Sequence, residues 1–340
     1  MTTIYTHDDL DGWCAAAVLL LKGLPGEADG PVMVKYVQYG DPAPPTSEIE
    51  GRDVYVLDFS WPIKDMAALA DTAVEFVWLD HHRTAVERYK DSMKGREWNC
   101  SEFGWLWRKY NVDVRMSEDN TQAGCMLAWD YRFGSVLDPK KGPPPPHALR
   151  AVDRCDRWDD ASDEDRRLVA ALNLLAATGG KAEWPGWGAL LSPAIEFVDM
   201  GELGRLGAHL ISARDLRIAG ALKRAVPVTL DGHPCRCCNH AVSEDTSELG
   251  HRLALEADPE GRGIGWVWSL GADKGGHPIV VNSLRSGPDG PDVSAIAKER
   301  GGGGHEHAAG WEETRPISWT GECGPVVDTE VLTAIATSKD

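Results

Sequence analysis

The sequence contains no apolar run long enough to cross a lipid bilayer. Its longest run, Ala15 to Leu21, is well short of the roughly 20 residues that a transmembrane helix needs. No signal segment is recognisable either, since Met1 and Thr2 lead directly into a predicted strand. These absences predict a cytoplasmic protein that has no membrane partner and whose cysteines are reduced.

Positive charge is also in short supply. The chain has 35 lysines and arginines against 53 aspartates and glutamates, which gives a formal net charge of -18 at pH 7. Proteins that follow long nucleic acids usually carry a basic stripe that neutralises phosphates. The composition therefore disfavours long duplexes and long single strands as tight partners, and part of the acidity is expected to belong to a metal site.

A second cysteine pair, which a zinc knuckle requires, is missing. Cys235, Cys237 and Cys238 lie close together, but His240 alone does not complete a zinc site with them. We therefore expect these cysteines to lie in a strand as small buried thiols.

The 340 residues are enough for two domains with a core in each. In the first part, strands predicted at residues 3–6, 32–39, 53–60 and 74–79 are separated by helices such as 13–22 and 66–73. This alternation predicts an α/β fold with a doubly wound parallel sheet over residues 1–192. A helical connector is predicted over 193–225, a smaller α/β domain over 226–316 and a tail over 317–340.

Carboxylates and imidazoles follow three of these predicted strands. The sequence His7-Asp8-Asp9-Leu10-Asp11 follows the first, Asp58 ends the third, and Asp80-His81-His82 ends the fourth. Helix capping would require only one of the acids after the first strand, and clustered like charges repel unless a cation offsets them. Because ligands bind at the carboxyl edge of parallel sheets, these side chains predict a metal site.

Two further stretches carry polar groups outside these strands. The acidic stretch 153–160 is equally compatible with a solvated surface and with additional metal ligands. Four consecutive glycines, residues 301–304, precede His305, and backbone amides in such a run can approach an anion closely. With the permanent cation of Arg285 at a predicted strand end, they indicate a phosphate or nucleotide clamp. The run 308–310 after them is predicted to form a tightly packed turn or helix.

Taken in order, these motifs resemble the DHH phosphoesterase superfamily and its companion C-terminal domain. The resemblance covers about residues 1–316 and is carried by His7-Asp8-Asp9-Leu10-Asp11-Gly12, Leu57-Asp58, Asp80-His81-His82, Asp156-Arg157-Trp158, Ser283-Leu284-Arg285-Ser286 and the Gly-Gly-Gly-His-x-x-Ala-Ala-Gly run at residues 302–310.

The resemblance implies a site for two divalent ions, usually Mn²⁺. By position in the motifs, His7 and Asp9 match ligands of one ion, and Asp11, His81 and a fourth-motif aspartate match ligands of the other. Asp58 matches the bridging carboxylate. Asp153 and Asp156 both qualify for the fourth motif, and Asp156 is favoured because it lies two residues before Trp158.

The resemblance also assigns residues to the substrate. His82 matches the histidine that contacts the scissile phosphate, and Asp80 supports it. In the second domain the expected substrate contacts are Arg285, Ser286, Gly303, Gly304 and His305. A cleft between the domains would then measure out a short substrate.

The expected function is a metal-dependent phosphodiesterase that cleaves short oligonucleotides or dinucleotides to mononucleotides. The alternatives are a nucleotide phosphatase acting on adenosine 3′,5′-bisphosphate or a similar compound, and a RecJ-like single-strand DNA exonuclease, which the net charge disfavours. A nucleotide-binding sensor without activity would be expected to have lost ligands, whereas every ligand position is filled here. The sequence does not distinguish RNA from DNA as the substrate, and it is compatible with a homodimer.

Overall fold

The computed structural model of the protein describes residues 1–21, 31–93, 112–117, 120–134, 143–191, 200–273, 275–287 and 289–314. The chain divides into two compact units, residues 1–211 and 212–340. Each unit has its own sheet, and the two units are described separately below.

The sheet of the first unit is five-stranded and entirely parallel, with the order β2-β1-β3-β4-β5. Its strands are short and mostly apolar, and β1, β3 and β4 lie in its centre. Their bounds are β1 Thr2–His7, β2 Val32–Val37, β3 Asp53–Leu57, β4 Glu75–Asp80 and β5 Val112–Met116.

Helices connect and cover these strands. Their bounds are α1 Leu10–Leu20, α2 Thr46–Ile49, α3 Ile63–Thr72, α4 Arg83–Met93, α5 Gly124–Phe133, α6 His147–Asp156, α7 Asp163–Gly179 and α8 Gly186–Leu191, with a 3₁₀ turn at Lys181–Glu183. Two apolar clusters result, one containing α1, α5, α6 and α7 and the other containing α2 and α3. Because both clusters include residues of the central strands, the sheet is buried on both faces, as parallel sheets generally are.

Helix α1 approaches β1 very closely. A Cβ atom on Gly12 would lie 2.3 Å from the carbonyl oxygen of His7, so only glycine fits there. The Thr6 hydroxyl donates a hydrogen bond to the Gly12 carbonyl, which fixes the same contact. The turn between β1 and α1 is therefore held at a defined distance from the end of the strand.

The second unit contains a six-stranded mixed sheet in the order β10-β11-β9-β8-β7-β6, in which β7 and β8 form the parallel pair. The strands are β6 Val226–Leu230, β7 His233–Asn239, β8 Ile264–Ala272, β9 Pro278–Ser286, β10 Gly303–His305 and β11 Ala308–Glu313. Helices α9 Met200–Leu222, α10 Thr246–Ala257 and α11 Val293–Glu299 accompany it, and the division between the units falls within α9.

The predicted fold class is confirmed: a parallel-sheet α/β unit is followed by helices and a smaller α/β unit. The expected strand of buried thiols is also present, since Cys235, Cys237 and Cys238 are buried in β7. None of the described helices is both long and apolar enough to span a membrane.

Two predicted elements are not found in the structure as described. The predicted turn or helix at residues 308–310 is wrong, because this segment starts β11 and pairs antiparallel with β9 and β10. Small residues suit this position because a Cβ atom on Gly310 would lie 2.4 Å from the Asn282 carbonyl oxygen. A helix predicted at residues 102–110 lies outside the described residues.

Candidate metal centre

The carboxyl ends of the three central strands of the first unit bring the predicted acids and imidazoles together. His7 is the last residue of β1, Asp58 follows β3, and Asp80 is the last residue of β4. Three overlapping groups of potential metal ligands result: His7 with Asp9 and Asp58, Asp11 with His81 and Asp156, and Asp58 with His81 and His82.

Asp58 lies between the first two groups. Its Oδ2 atom is 3.7 Å from Nδ1 of His7, and its Oδ1 atom is 3.1 Å from Nε2 of His81. The side chain is only 1% exposed, and its backbone has a φ of 52°, a conformation that L residues rarely adopt. Such strain is retained where the surrounding structure holds a functional group in place.

The first donor group combines one imidazole with two carboxylates. Nδ1 of His7 is 2.6 Å from Oδ2 of Asp9. The other oxygen of Asp9 accepts a hydrogen bond from the Gly12 amide, which caps α1. One Asp9 oxygen therefore anchors the helix and the other faces His7.

The second donor group is centred on Nε2 of His81, which lies 3.8 Å from Asp11 and 3.3 Å from Asp156. Asp11 is fixed by hydrogen bonds from the amides of Gly124 and Cys125, at 2.7 and 3.0 Å. These amides form the first turn of α5, so the helix terminus stabilises the carboxylate charge.

The two fourth-motif candidates have different surroundings. Asp153 accepts two hydrogen bonds from Arg157 and one from the Ala123 amide, so its carboxylate is engaged in holding α6 to the start of α5. Asp156 faces His81 and is 30% exposed. Of the two, Asp156 is the one whose carboxylate lies beside His81 in a group that could hold a metal ion.

A hydrogen-bond chain orients His82. Asp80 is fully buried and accepts hydrogen bonds from the backbone amide and from Nδ1 of His82, at 2.9 and 2.8 Å. Its other oxygen accepts a hydrogen bond from the hydroxyl of Ser60, which in turn accepts one from the Trp78 indole. Because Asp80 takes Nδ1–H, the tautomer and the ring orientation of His82 are fixed.

Sequence reasoning missed Asn120. Its side-chain oxygen lies 2.9 Å from Nδ1 of His81, and this contact turns Nε2 of the same ring towards the carboxylates. Arg157 donates a hydrogen bond to the Asn120 carbonyl, and Asn120 has a φ of 50°. Asparagine tolerates this backbone conformation better than most residues do. An asparagine in a predicted turn is therefore the one feature of the sequence that could have drawn attention to this position.

Lys181 was missed as well. Its ammonium group lies 2.5 Å from Asp8, which also accepts a hydrogen bond from the Trp13 indole. The ammonium is also 4.5 Å from the ring centroid of Tyr36. Since Asp8 stands between two potential ligands, His7 and Asp9, this contact fixes the turn that carries both.

The electrostatics of the cluster separate its acids. Burial, together with the charges of Asp58 and Asp156, raises the pKa of Asp11 well above its usual value. Burial likewise raises the pKa of Asp156 to about 6, although the charge of His81 opposes it. Burial would also raise the pKa of Asp58, but interactions with His7 and His81 outweigh it and hold that pKa well below the usual range.

The imidazoles show the complementary effect. Burial by itself lowers the pKa of His7, but the charges of Asp9 and Asp58 outweigh it and raise that pKa well above its usual value. The pKa of His81 is raised for the same reason, by Asp58, Asp156 and Asp11. Protons therefore partly neutralise the acids of the cluster, a role that divalent cations can take over.

The donor atoms fit a divalent metal. Nδ1 of His7 and Oδ1 of Asp58 are buried and, among the described residues, have no hydrogen-bond partner of adequate geometry. Unsatisfied buried donors and acceptors are costly unless another group, such as an ion, completes them. Carboxylate and imidazole ligands suit Mn²⁺, Zn²⁺ and similar ions.

The second unit contains the predicted substrate contacts. Arg285 is partly exposed on β9 and donates hydrogen bonds to the Leu284 carbonyl and the Ser247 hydroxyl, at 2.8 and 2.7 Å. Burial lowers the pKa of its guanidinium to about 10. The Ser286 hydroxyl donates to the Pro291 carbonyl and lies 3.0 Å from Nδ1 of His307, so it organises this turn.

Gly303, Gly304 and His305 form the short strand β10, and Ala308 of β11 is paired with both His305 and Arg285. A Cβ atom on Gly303 would meet nothing within 4 Å, so its backbone is approachable from that side. Gly304 has a φ of 139°, and a Cβ atom there would lie 2.5 Å from the Ala308 carbonyl oxygen. These glycines therefore combine close strand pairing with an accessible backbone.

Comparison with known proteins gives matches among solved structures only. No protein-family model matches the chain, and no curated protein matches it. Among solved structures, the pGpG-specific phosphodiesterase PggH from Vibrio cholerae aligns over 99% of this chain and 98% of its own, at 13% identity and a TM-score of 0.47.

Two further structures are similar. RecJ in complex with Mn²⁺ from Thermus thermophilus aligns over 91% of this chain and 49% of its own, at 16% identity and a TM-score of 0.44. An exopolyphosphatase-related protein from Bacteroides fragilis aligns over 99% of this chain and 90% of its own, at 15% identity and a TM-score of 0.44.

Proposed function

We propose that the chain is a metal-dependent phosphodiesterase that cleaves short oligonucleotides or dinucleotides to mononucleotides. The observation that carries the proposal is the position of Asp58, whose two carboxylate oxygens face two different groups of metal ligands. One group would be His7 and Asp9, and the other Asp11, His81 and Asp156. A shared carboxylate is what a two-ion site requires.

When bound, a pair of divalent ions, most suitably Mn²⁺, would activate a water molecule and offset phosphate charge. The protein's own part is orientation. Asp80 accepts the hydrogen bond from Nδ1–H of His82 and thereby fixes the ring, which leaves Nε2 for the substrate. Nε2 could then contact a phosphate oxygen or transfer a proton to the leaving oxygen. The close contact between α1 and β1 keeps the ligands of the first turn in place.

The proposed substrate is short and anionic. The net charge of -18 opposes extended contact with a long polyanion. In the second unit, Arg285 supplies a cation whose described partners are the neutral oxygens of Leu284 and Ser247, and Gly303 supplies an accessible backbone. We propose that these groups, with Ser286, Gly304 and His305 around them, hold one end of the substrate.

The experiment is product analysis with Mn²⁺ on a panel of phosphoesters. The panel contains a 5′-phosphorylated diribonucleotide, a longer RNA, single-stranded DNA, a cyclic dinucleotide and adenosine 3′,5′-bisphosphate. We expect the dinucleotide to be cleaved fastest, with mononucleotides as products. The Asp58→Ala variant is expected to lose this activity, whereas Asp163→Ala, whose carboxylate is 84% exposed, serves as a matched control.

Other outcomes would replace the proposal. Preferred release of inorganic phosphate from adenosine 3′,5′-bisphosphate would indicate a phosphatase. Faster digestion of long single-stranded DNA would indicate a RecJ-like exonuclease. A metal-loaded protein that leaves every compound intact would leave only nucleotide binding as a role for the site.

A further inference from the structure

Tyr39 is a large aromatic residue beside the candidate metal centre that no part of the proposed chemistry uses. It lies just beyond β2 and is 49% exposed. The centroid of its ring lies 5.5 Å from that of His7 and 5.7 Å from that of His82, with interplanar angles of 64° and 76°. The ring thus stands at the open edge of the site, next to the histidine proposed to meet the phosphate.

The ring is held in place by a series of aromatic contacts. Tyr39 contacts Phe59, which contacts Trp61, which contacts Tyr5, with centroid distances of 5.1, 5.1 and 5.4 Å. The inner rings are buried, and only Tyr39 reaches the surface. Its half-exposed ring is therefore backed by the core and is not a loosely attached surface side chain.

The backbone that carries Tyr39 is also fixed. The Trp61 indole donates a hydrogen bond to the Asp41 carbonyl, and the amide of Asp41 donates to the Gln38 carbonyl. The Gln38 side chain donates to the backbone oxygen of Asp8, within the turn between β1 and α1. The position of Tyr39 is thereby tied to the segment that supplies His7 and Asp9.

A rigid ring on a half-exposed residue, beside a cluster of charged groups, is suited to a planar part of a ligand. Nucleobases stack on such rings regardless of their sequence, and a tyrosine ring offers contact area at little entropic cost. Neither an inorganic polyphosphate chain nor a simple alkyl phosphate offers a planar surface.

We propose that the ring of Tyr39 binds the base of the nucleotide that flanks the scissile phosphate, so that the substrate must be a nucleotide ester. This inference rests on the proposed function and adds a binding contact for the base to the same site.

The test compares the wild type with Tyr39→Leu and Tyr39→Phe. The substrates are the 5′-phosphorylated dinucleotide and its abasic analogue, which keeps the sugars and phosphates but lacks both bases. With the dinucleotide, we expect Tyr39→Leu to raise KM on the order of tenfold, with little change in kcat. Tyr39→Phe keeps the ring and should retain most of the affinity that the leucine variant loses.

Two controls separate substrate binding from support of the metal site. With the abasic analogue, the wild type and Tyr39→Leu should have similar KM values. The Mn²⁺ affinity of both variants, measured by titration calorimetry without substrate, should equal that of the wild type.

Some results would overturn the inference while leaving the proposed function intact. If Tyr39→Leu raises KM equally for both substrates, or binds Mn²⁺ more weakly, Tyr39 only supports His7 and His82. If Tyr39→Phe raises KM as much as Tyr39→Leu does, the hydroxyl makes the contact.

A different result would overturn the proposed function itself, and the inference with it. This result is a wild-type protein that cleaves neither substrate.

Discussion

At the scale of single residues, the site depends on contacts that fix which atom of each side chain faces the centre. Asp80 holds Nδ1 of His82, and Asn120 holds Nδ1 of His81. In both rings, the contact at Nδ1 directs Nε2 towards the centre of the site. Asp80 and Asn120 are themselves outside the groups of potential metal ligands. Such supporting contacts usually matter nearly as much as the ligands.

Asn120 gives a prediction at this scale. The Asn120→Gly variant removes the side-chain contact to Nδ1 of His81 but tolerates the backbone φ of 50°. We expect its Mn²⁺ affinity to fall by about 10–100-fold, because His81 would then lose the contact that sets its tautomer and orientation. Titration calorimetry measures the affinity directly.

The control for this prediction is Asn120→Asp, which keeps an oxygen acceptor in the same position. It should retain more affinity than Asn120→Gly. If the glycine variant binds Mn²⁺ as tightly as the wild type does, Asn120 has no role in orienting His81.

The sequence predicted most of the side chains that meet at this edge of the sheet, but it did not predict the residues that orient them. His7, Asp58 and His81 could be predicted because each ends or directly follows the last residues of an apolar strand, and parallel strands bring their carboxyl ends to one edge. Asn120 and Lys181 come from turns far along the chain. Their contacts arise from tertiary packing, and a single polar residue in a turn has no periodic pattern that would reveal it.

At the scale of helices and strands, the start of α5 is the tightest point of the site. A Cβ atom on Gly124 would lie 2.6 Å from Cβ of Asp58 and 2.8 Å from Oδ2 of Asp11. The Gly124 amide donates to Asp11, so the helix can approach the carboxylate only because this residue has no side chain.

The Gly124→Ala variant is therefore expected to displace Asp11 or Asp58. We expect it to lower the free energy of unfolding by about 1–3 kcal/mol, as overpacking does, and to weaken Mn²⁺ binding as well. Chemical denaturation and titration calorimetry measure the two effects.

The matched control is Gly188→Ala in α8, where an added Cβ atom would meet nothing within 4 Å. Alanine favours helix over glycine, so this variant should be at least as stable as the wild type. A Gly124→Ala protein that behaves like Gly188→Ala would show that α5 can move away without harm to the site.

Two strands were missed for different reasons. β5 was not predicted, although Asp113 and Arg115 alternate with apolar residues as in a strand, because the segment is only five residues long. Gly303 and Gly304 have little intrinsic preference for strand, yet they form β10 because β11 pairs with them. Pairing decides the second case, and pairing partners cannot be identified from local sequence alone.

At the scale of the whole molecule, the acidic charge and the metal centre are linked through protons. Without an ion, Asp11 and Asp156 keep their protons to a higher pH than free carboxyl groups do, since the pKa of Asp11 is raised and that of Asp156 is raised to about 6. A group whose pKa is higher in the folded state stabilises the fold below its unfolded pKa. That stability is lost as the pH rises from about 4 to 6, so the metal-free protein loses this contribution near neutral pH.

Metal binding should reverse this trend. We expect the stabilisation by Mn²⁺ to grow as the pH rises, because the ion must displace protons from Asp156 near pH 6 and from His7 and His81, whose pKa values are raised well above their usual value. At about 100 times its Kd, the ion should add roughly 2.7 kcal/mol to the free energy of unfolding.

Thermal unfolding with and without Mn²⁺ between pH 5 and 8 tests this expectation. Calorimetric titrations in buffers of different ionisation enthalpy should show proton release on binding. A Mn²⁺ affinity independent of pH, with no proton release, would mean that these acids are already ionised in the free protein.

The sheet order has a consequence for the way the protein is made on the ribosome. β1, β3 and β4 bring His7, Asp58 and His81 together early in the chain, but Asp156 is the last residue of α6 and is synthesised much later. A nascent chain that has not yet exposed α6 offers an incomplete set of ligands. If the proposed function holds, tight capture of metal has to wait until α6 has been synthesised and has packed against the sheet.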